Sequence, residues 1–312
     1  MTPEQFWKNF NLLDEVSIAG GFVYNGLRRF REMKQFELTD ELFDFFYNVS
    51  VGIERLLKVA LILIEHDAAM DIEKFEESLR THKHLDLLAR VRKGARINLA
   101  KEHLAFLALL SEFYEKHRYN RFSASSVTSR SAEKRTLIEY LGRHLDGAID
   151  TGNPFGIENK IEYKKLIRRV VVKISTELYA AIREEAHRQN LYTYELRHDS
   201  RAEKLFLAEA NLDAENVAWQ ELVIYLVNTT DRGGVLDFIR TIPELEFDPA
   251  LLQDCLESFK SARMNSEVTD FVETCYDDRG GKFAKERLQQ VALIGDPSVY
   301  FDSDEISEDD SE

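Results

Sequence analysis

The stretch Gly52-Ile53-Glu54-Arg55-Leu56-Leu57-Lys58-Val59-Ala60-Leu61 decides the fold class. It lies inside an apolar series, Leu42, Phe46, Val49, Ile53, Leu57, Ala60 and Ile64, whose spacing of three and four is that of a single helix. Thr39 stands where such a helix would be capped. Working outward, nearly every other segment shows the same period. Thr2-Pro3-Glu4-Gln5 reads as a capping box with proline in the first turn, opening a helical region to Met33 with a break expected near Gly20-Gly21. Shorter helices are expected over Ile72–Leu79 and His84–Val91, with Gly94 as a stop. A longer one follows near Arg96–Tyr119, with Leu99, Phe106, Leu110 and Phe113 on one face. After the polar stretch 123–131, Ser131 would cap a helix over 132–144. Gly147 to Gly156, containing Thr-Gly-Asn-Pro, reads as a domain boundary. Beyond it the pattern predicts a long helix over Ile157–Gln189. Further helices are expected near 214–227, 249–260 and 280–293. The expectation is an all-α protein: a helical bundle over 1–147, a second helical domain over 156–295, and an acidic tail, 296–312, too polar to fold.

Composition narrows the function. The 312 residues are 44% hydrophobic and 31% charged, values of a soluble globular chain. The run Val59-Ala60-Leu61-Ile62-Leu63-Ile64 is far short of a membrane span. The first residues lack the basic flank and apolar core of a secretion signal, so a cytoplasmic location without membrane contact is expected. Cys255 and Cys275 form neither a metal-ligand spacing nor a disulfide framework. A net charge of −15 argues against coating a nucleic acid duplex, but the charge is unevenly spread. Residues 80–143 hold 14 Lys/Arg against 6 Asp/Glu, whereas 146–312 hold 19 against 35. A local anion site inside an acidic protein is the pattern expected from this. The sequence has no Gly-rich loop ending in Lys-Ser/Thr, no Gly-x-Ser-x-Gly and no His-Glu-x-x-His, which argues against an ATPase, a serine hydrolase or a zinc protease. No metal or other cofactor is expected.

Two groups of residues stand out. Arg118-Tyr119-Asn120-Arg121-Phe122 interleaves guanidinium groups with aromatic rings, which suits phosphate contact with base stacking. The same residues would also serve a bundle end, the rings closing it and the arginines meeting helix carbonyls. Glu54 and Lys58 form an i,i+4 pair of favourable polarity, read as architectural, and His82 and His84 are read as packing and terminating a helix.

The succession Gly52-to-Leu61, then His84-Leu85-x-x-Leu88, then Tyr114-x-x-x-Arg118-Tyr119 resembles the HEPN superfamily of helical domains, over roughly residues 40–125. The resemblance implies binding or cutting of RNA. Ribonuclease members carry an arginine, four to six residues, then a histidine, a pattern that Arg96 and His103 match at the long limit. Where members usually have a polar residue after the arginine, this chain has Ile97. On one helix the pair would face one way. His103 would then move the 2′-hydroxyl proton while Arg96 stabilises the phosphate, without metal. His103 is also in register with Leu99, Phe106 and Leu110, so a core-edge histidine is the structural alternative. The resemblance thus implies a metal-independent endoribonuclease of the toxin or phage-defence kind, with Arg118, Tyr119 and Arg121 holding RNA across a homodimer. The alternative is a non-catalytic adaptor that binds a nucleotide, or a protein partner through the acidic C-terminal half.

Overall fold

The computed structural model describes residues 2–67, 69–118, 122, 132–145, 149, 156–191, 212–230, 234–260, 265–296 and 298–300. Every regular element among them is helical, apart from a single β-bridge between Gln35 and Glu158. Thr2 caps the first helix as expected, its Oγ1 accepting from the Gln5 amide (3.2 Å) while Gln5 Oε1 accepts from the Thr2 amide (2.9 Å). From there the chain is continuous through α1 (Pro3–Phe6), a π-helical turn (Trp7–Asn11) and α2 (Leu12–Glu32). The break expected at Gly20-Gly21 is not made. Gly20 is buried within α2, and tertiary packing outweighs the local helix cost of glycine.

α3 (Thr39–Glu65) is the centre of the first unit, packing against α2, α5 (His84–Gly94), α6 (Lys101–Glu112), α7 (Ala132–His144) and α8 (Ile161–Arg188). The short α4 (Ile72–Ser78) is capped by Asp71, whose side chain accepts from the Lys74 amide. α2 and α3 run antiparallel and very close. A Cβ built on Gly26 would lie 2.5 Å from Val49 Cγ2, and one on Gly52 would lie 2.9 Å from the Ala19 carbonyl oxygen. Small residues at both crossings let Val23, Leu27, Phe30, Phe45, Phe46, Val49 and Ile53 be buried together. Each such side chain contributes about 1.5–3 kcal/mol by leaving water.

α8 was expected to open a second domain, but it belongs to the first compact unit, Met1–Leu212. Its start is tied to the end of α2. The Asn159 amide N–H donates to the Lys34 carbonyl (2.8 Å), and Asn159 Nδ2 donates to the carbonyls of Phe30 (2.7 Å) and Met33 (3.1 Å). The Thr-Gly-Asn-Pro stretch therefore falls inside a unit rather than between two, and the division lies between Leu212 and Asp213. The second unit, Asp213–Glu312, contains most of α9 (Leu212–Asn228), then α10 (Gly234–Thr241), α11 (Leu252–Lys260), α12 (Ser266–Arg279) and α13 (Gly281–Val291). α10 and α12 were not anticipated. Asn265 caps α12, accepting from Glu267 (2.9 Å), and Phe247 meets Phe271 at 4.8 Å. Residues 301–312 of the expected tail lie outside the described residues. No helix among the described residues is long and apolar enough to cross a membrane.

The α2–α3 contact makes a paired prediction. Gly52→Ala should destabilise the fold by about 1–3 kcal/mol, because the new methyl meets the Ala19 carbonyl oxygen and the Val23 backbone nitrogen as well as the Val23 side chain. Gly21→Ala, with nothing within 4 Å of its Cβ, should stabilise by about 0.5–1 kcal/mol. Denaturant unfolding of both variants checks the pair, and equal effects would contradict the packing described.

Candidate functional site

The basic segment is built differently from the helix that its spacing suggests. α5 ends at Gly94, and residues 95–100 lie outside any helix, with Ala95 and Ala100 in extended backbone. Ile97 and Leu99 point inward while Arg96, Asn98 and Ala100 are exposed, the alternation of a strand-like connector. The Asn98 amide fixes it to α8 by donating to Glu177 Oε2 (2.7 Å). α6 starts only at Lys101. Arg96 therefore does not share a helix face with His103, and its exposed side chain makes no hydrogen bond or ion pair among the described residues.

His103 has a structural task. Its Nδ1 accepts from the Ala100 amide (3.1 Å), satisfying a donor at the start of α6. Nε2 faces Glu102 at 3.8 Å, and Arg169 and Glu102 pair at 3.4 Å. Burial lowers the His103 pKa, with Lys173 and Arg169 reinforcing the shift against Glu102 and the Ala100 contact. The ring is thus a neutral helix cap.

α6 ends in a π-helical turn, Phe113–His117, closed by the Arg118 amide donating to the Phe113 carbonyl. Phe113 stacks in the core on Phe46 at 5.2 Å. Arg118, half-buried, lies over the Tyr114 ring with its guanidinium carbon 4.1 Å from the centroid. Tyr119 and Arg121, the other residues expected to hold RNA, lie outside the described residues. Phe122 is 87% exposed, so it does not close the bundle.

Glu54, Lys58 and His82, which the sequence reads as architectural, converge on the same ring. Glu54 is only 7% exposed on the central helix, and each carboxylate oxygen has a partner. Lys58 Nζ donates to Oε1 at 2.6 Å, and His82 Nδ1 meets Oε2 at 2.9 Å. A carboxylate only accepts, so Nδ1 donates, and in the neutral ring Nε2 carries the lone pair. Nε2 has no hydrogen bond among the described residues, and the His82 side chain is 47% exposed. Its ring lies 4.5 Å from that of Tyr114. Burial raises the Tyr114 pKa, and Glu54 adds to the effect while Arg118 opposes it. The missed signal was Glu54 itself: a charged side chain in register with apolar residues must find partners, and His82 is one of them.

The neighbouring histidine does something else. His84 is fully buried, with Nε2–H donating to the Ser50 carbonyl (2.9 Å) and its amide donating to Ser111 Oγ (3.0 Å). It joins α3, α5 and α6. Burial lowers its pKa, and burial likewise lowers that of His117, whose two ring nitrogens have no hydrogen-bond partner among the described residues. No group of three or more possible metal-ligating side chains occurs among the described residues. Comparison with known proteins returned no matching family model, no matching curated protein and no matching solved structure.

His84, His103 and His117 all have pKa values below the ordinary 6.5 in the fold. Below that value the unfolded chain takes up protons that the folded chain does not, so stability should be full above about pH 6.5 and fall as the pH drops below it. Glu37, Glu177 and Glu185, whose pKa values are also lowered, act only in the carboxylate range below 4.5. Melting between about pH 7.5 and about pH 5.5 should therefore show a falling Tm, with a shallower slope in His117→Leu. A flat profile would contradict the buried, neutral state of these rings.

Proposed function

We propose that the chain is an RNA-directed protein, most concretely a metal-independent endoribonuclease of the toxin or phage-defence kind acting as a homodimer. The observation that carries the reading is the patch where Arg118, His82 and Lys58 gather around Tyr114 and Glu54, with His82, Tyr114 and Arg118 drawn from the segment 80–143 that is rich in Lys and Arg. It places cations beside an aromatic surface and a histidine with an open nitrogen. Those groups suit a phosphodiester, with the cations drawing the backbone and the histidine able to move a proton. The resemblance to HEPN domains points to the same class of ligand.

A second reading, the non-catalytic adaptor, is favoured by α9. Val217, Leu222, Ile224, Leu226 and Val227 are exposed there, as expected of a surface that meets a protein partner.

Full-length protein incubated with total RNA in EDTA tests the first reading. Cleavage is expected, and so is binding of single-stranded RNA that weakens with added salt and in Arg118→Ala. A protein that neither binds nor cuts RNA would leave the adaptor reading in its place. If Arg96 and His103 supply the chemistry, alanine at either abolishes cleavage with the helical fold intact. From the capping role of His103 we expect instead that His103→Ala loses about 1 kcal/mol of stability, and that Arg96→Ala still cuts.

A further inference from the structure

We infer that His82, held by Glu54, is the base that opens the 2′-hydroxyl of single-stranded RNA, with Lys58 and Arg118 holding the phosphodiester under attack. The inference rests on the RNA-directed reading above and assigns the base to His82, a residue that neither the arginine–histidine spacing nor the resemblance marks.

Three observations converge. First, Glu54 is buried in the apolar central helix α3, where an ionised carboxylate is costly and an aliphatic side chain would pack more cheaply. Lys58 on the next turn is a sufficient partner for one oxygen. The other oxygen is directed at an exposed imidazole 28 residues away in sequence. Second, that contact does for His82 what a carboxylate does for a catalytic or metal-binding histidine: it fixes the tautomer and orients the ring. The ring is further held against Tyr114. Third, the positive groups are on the spot. Lys58 shares the Glu54 carboxylate with His82, and Arg118 packs on the same Tyr114 ring. His84 has none of these features, being fully buried with its Nε2 bound to the Ser50 carbonyl.

The step balances without a metal or co-reactant. His82 Nε2 takes the proton of the 2′-hydroxyl, and the 2′-oxygen forms a bond to phosphorus. The bond from phosphorus to the 5′-oxygen breaks, and that oxygen leaves with the electron pair and takes a proton from water. The products are a 2′,3′-cyclic phosphate and a 5′-hydroxyl, and His82 returns its proton to solvent. Lys58 and Arg118 offset the charge gathering on the phosphoryl oxygens. Recognition of an unpaired strand follows from the need of the 2′-oxygen to swing into line with the leaving oxygen.

The test uses the full chain in EDTA with a single-stranded oligoribonucleotide, and with a DNA strand of the same sequence holding one ribonucleotide. Wild type should cut both, the second only at its ribonucleotide, leaving a cyclic phosphate. His82→Asn should cut at least about 100-fold more slowly, with melting temperature and RNA binding retained because the side chain is half-exposed. Glu54→Gln, in which the amide no longer orients the ring as a carboxylate does, should lower the rate by a smaller factor. Cleavage by His82→Asn at the wild-type rate would overturn the assignment while leaving the RNA reading intact. So would a wild-type protein that binds the oligoribonucleotide and leaves it whole. A wild-type protein that does not bind it at all would overturn both.

Discussion

The close approach of α2 and α3 at Gly26 and Gly52 is the constraint on which the first unit depends. With no side chain at these two crossings, backbone and valine meet directly, and the aromatic core between Phe30 and Phe113 closes around them. The same antiparallel pair is held along its length by polar contacts at its edges, Arg55 to Glu15 near one end and Arg29 to Asp44 near the other. Once α3 is fixed in the middle, α5, α6, α7 and α8 have one common surface to cover. That arrangement also carries Glu54 into a largely buried position. The partners of Glu54 then come from its own helix, through Lys58, and from the residues just before α5, through His82.

Helix ends, rather than helix interiors, set the surroundings of the candidate site. α5 begins at His84, so His82 is left outside the helix and can turn its ring to Glu54. α6 ends in a π-helical turn, which resets the register just before Arg118 and seats it on Tyr114. His103 shows the opposite outcome. Its place at the start of α6 uses one ring nitrogen on a backbone amide, which keeps the helix start satisfied and ties up the group that catalysis would need.

Much of the fold was legible in the sequence because amphipathic spacing is read directly from side-chain type. α3 follows from the run Leu42 to Ile64 almost to the residue, and the Thr2 capping box forms as written. The failures have particular causes. Gly20-Gly21 reads as a break when only local propensity is weighed, yet packing keeps α2 whole. The residues Ile97 and Leu99 fit a helix period only if the alternating exposure of Arg96, Asn98 and Ala100 is ignored. Thr-Gly-Asn-Pro says nothing of whether the next helix folds back, a matter settled by long-range contacts such as Asn159 to Phe30 and Met33. The candidate site was half visible: Arg118 was singled out, while Glu54 and His82, 28 residues apart, meet only through the fold.

Proton transfer by His82 depends on which of its ring nitrogens carries the proton. Long-range proton–nitrogen NMR of the imidazole groups near neutral pH, with His82 assigned by its loss in His82→Asn, reads it directly. The geometry at Glu54 predicts a His82 ring with the proton on Nδ1 and a bare Nε2, and a shift away from that pattern in Glu54→Gln. A His82 ring protonated on Nε2 alone, unchanged by Glu54→Gln, would contradict it.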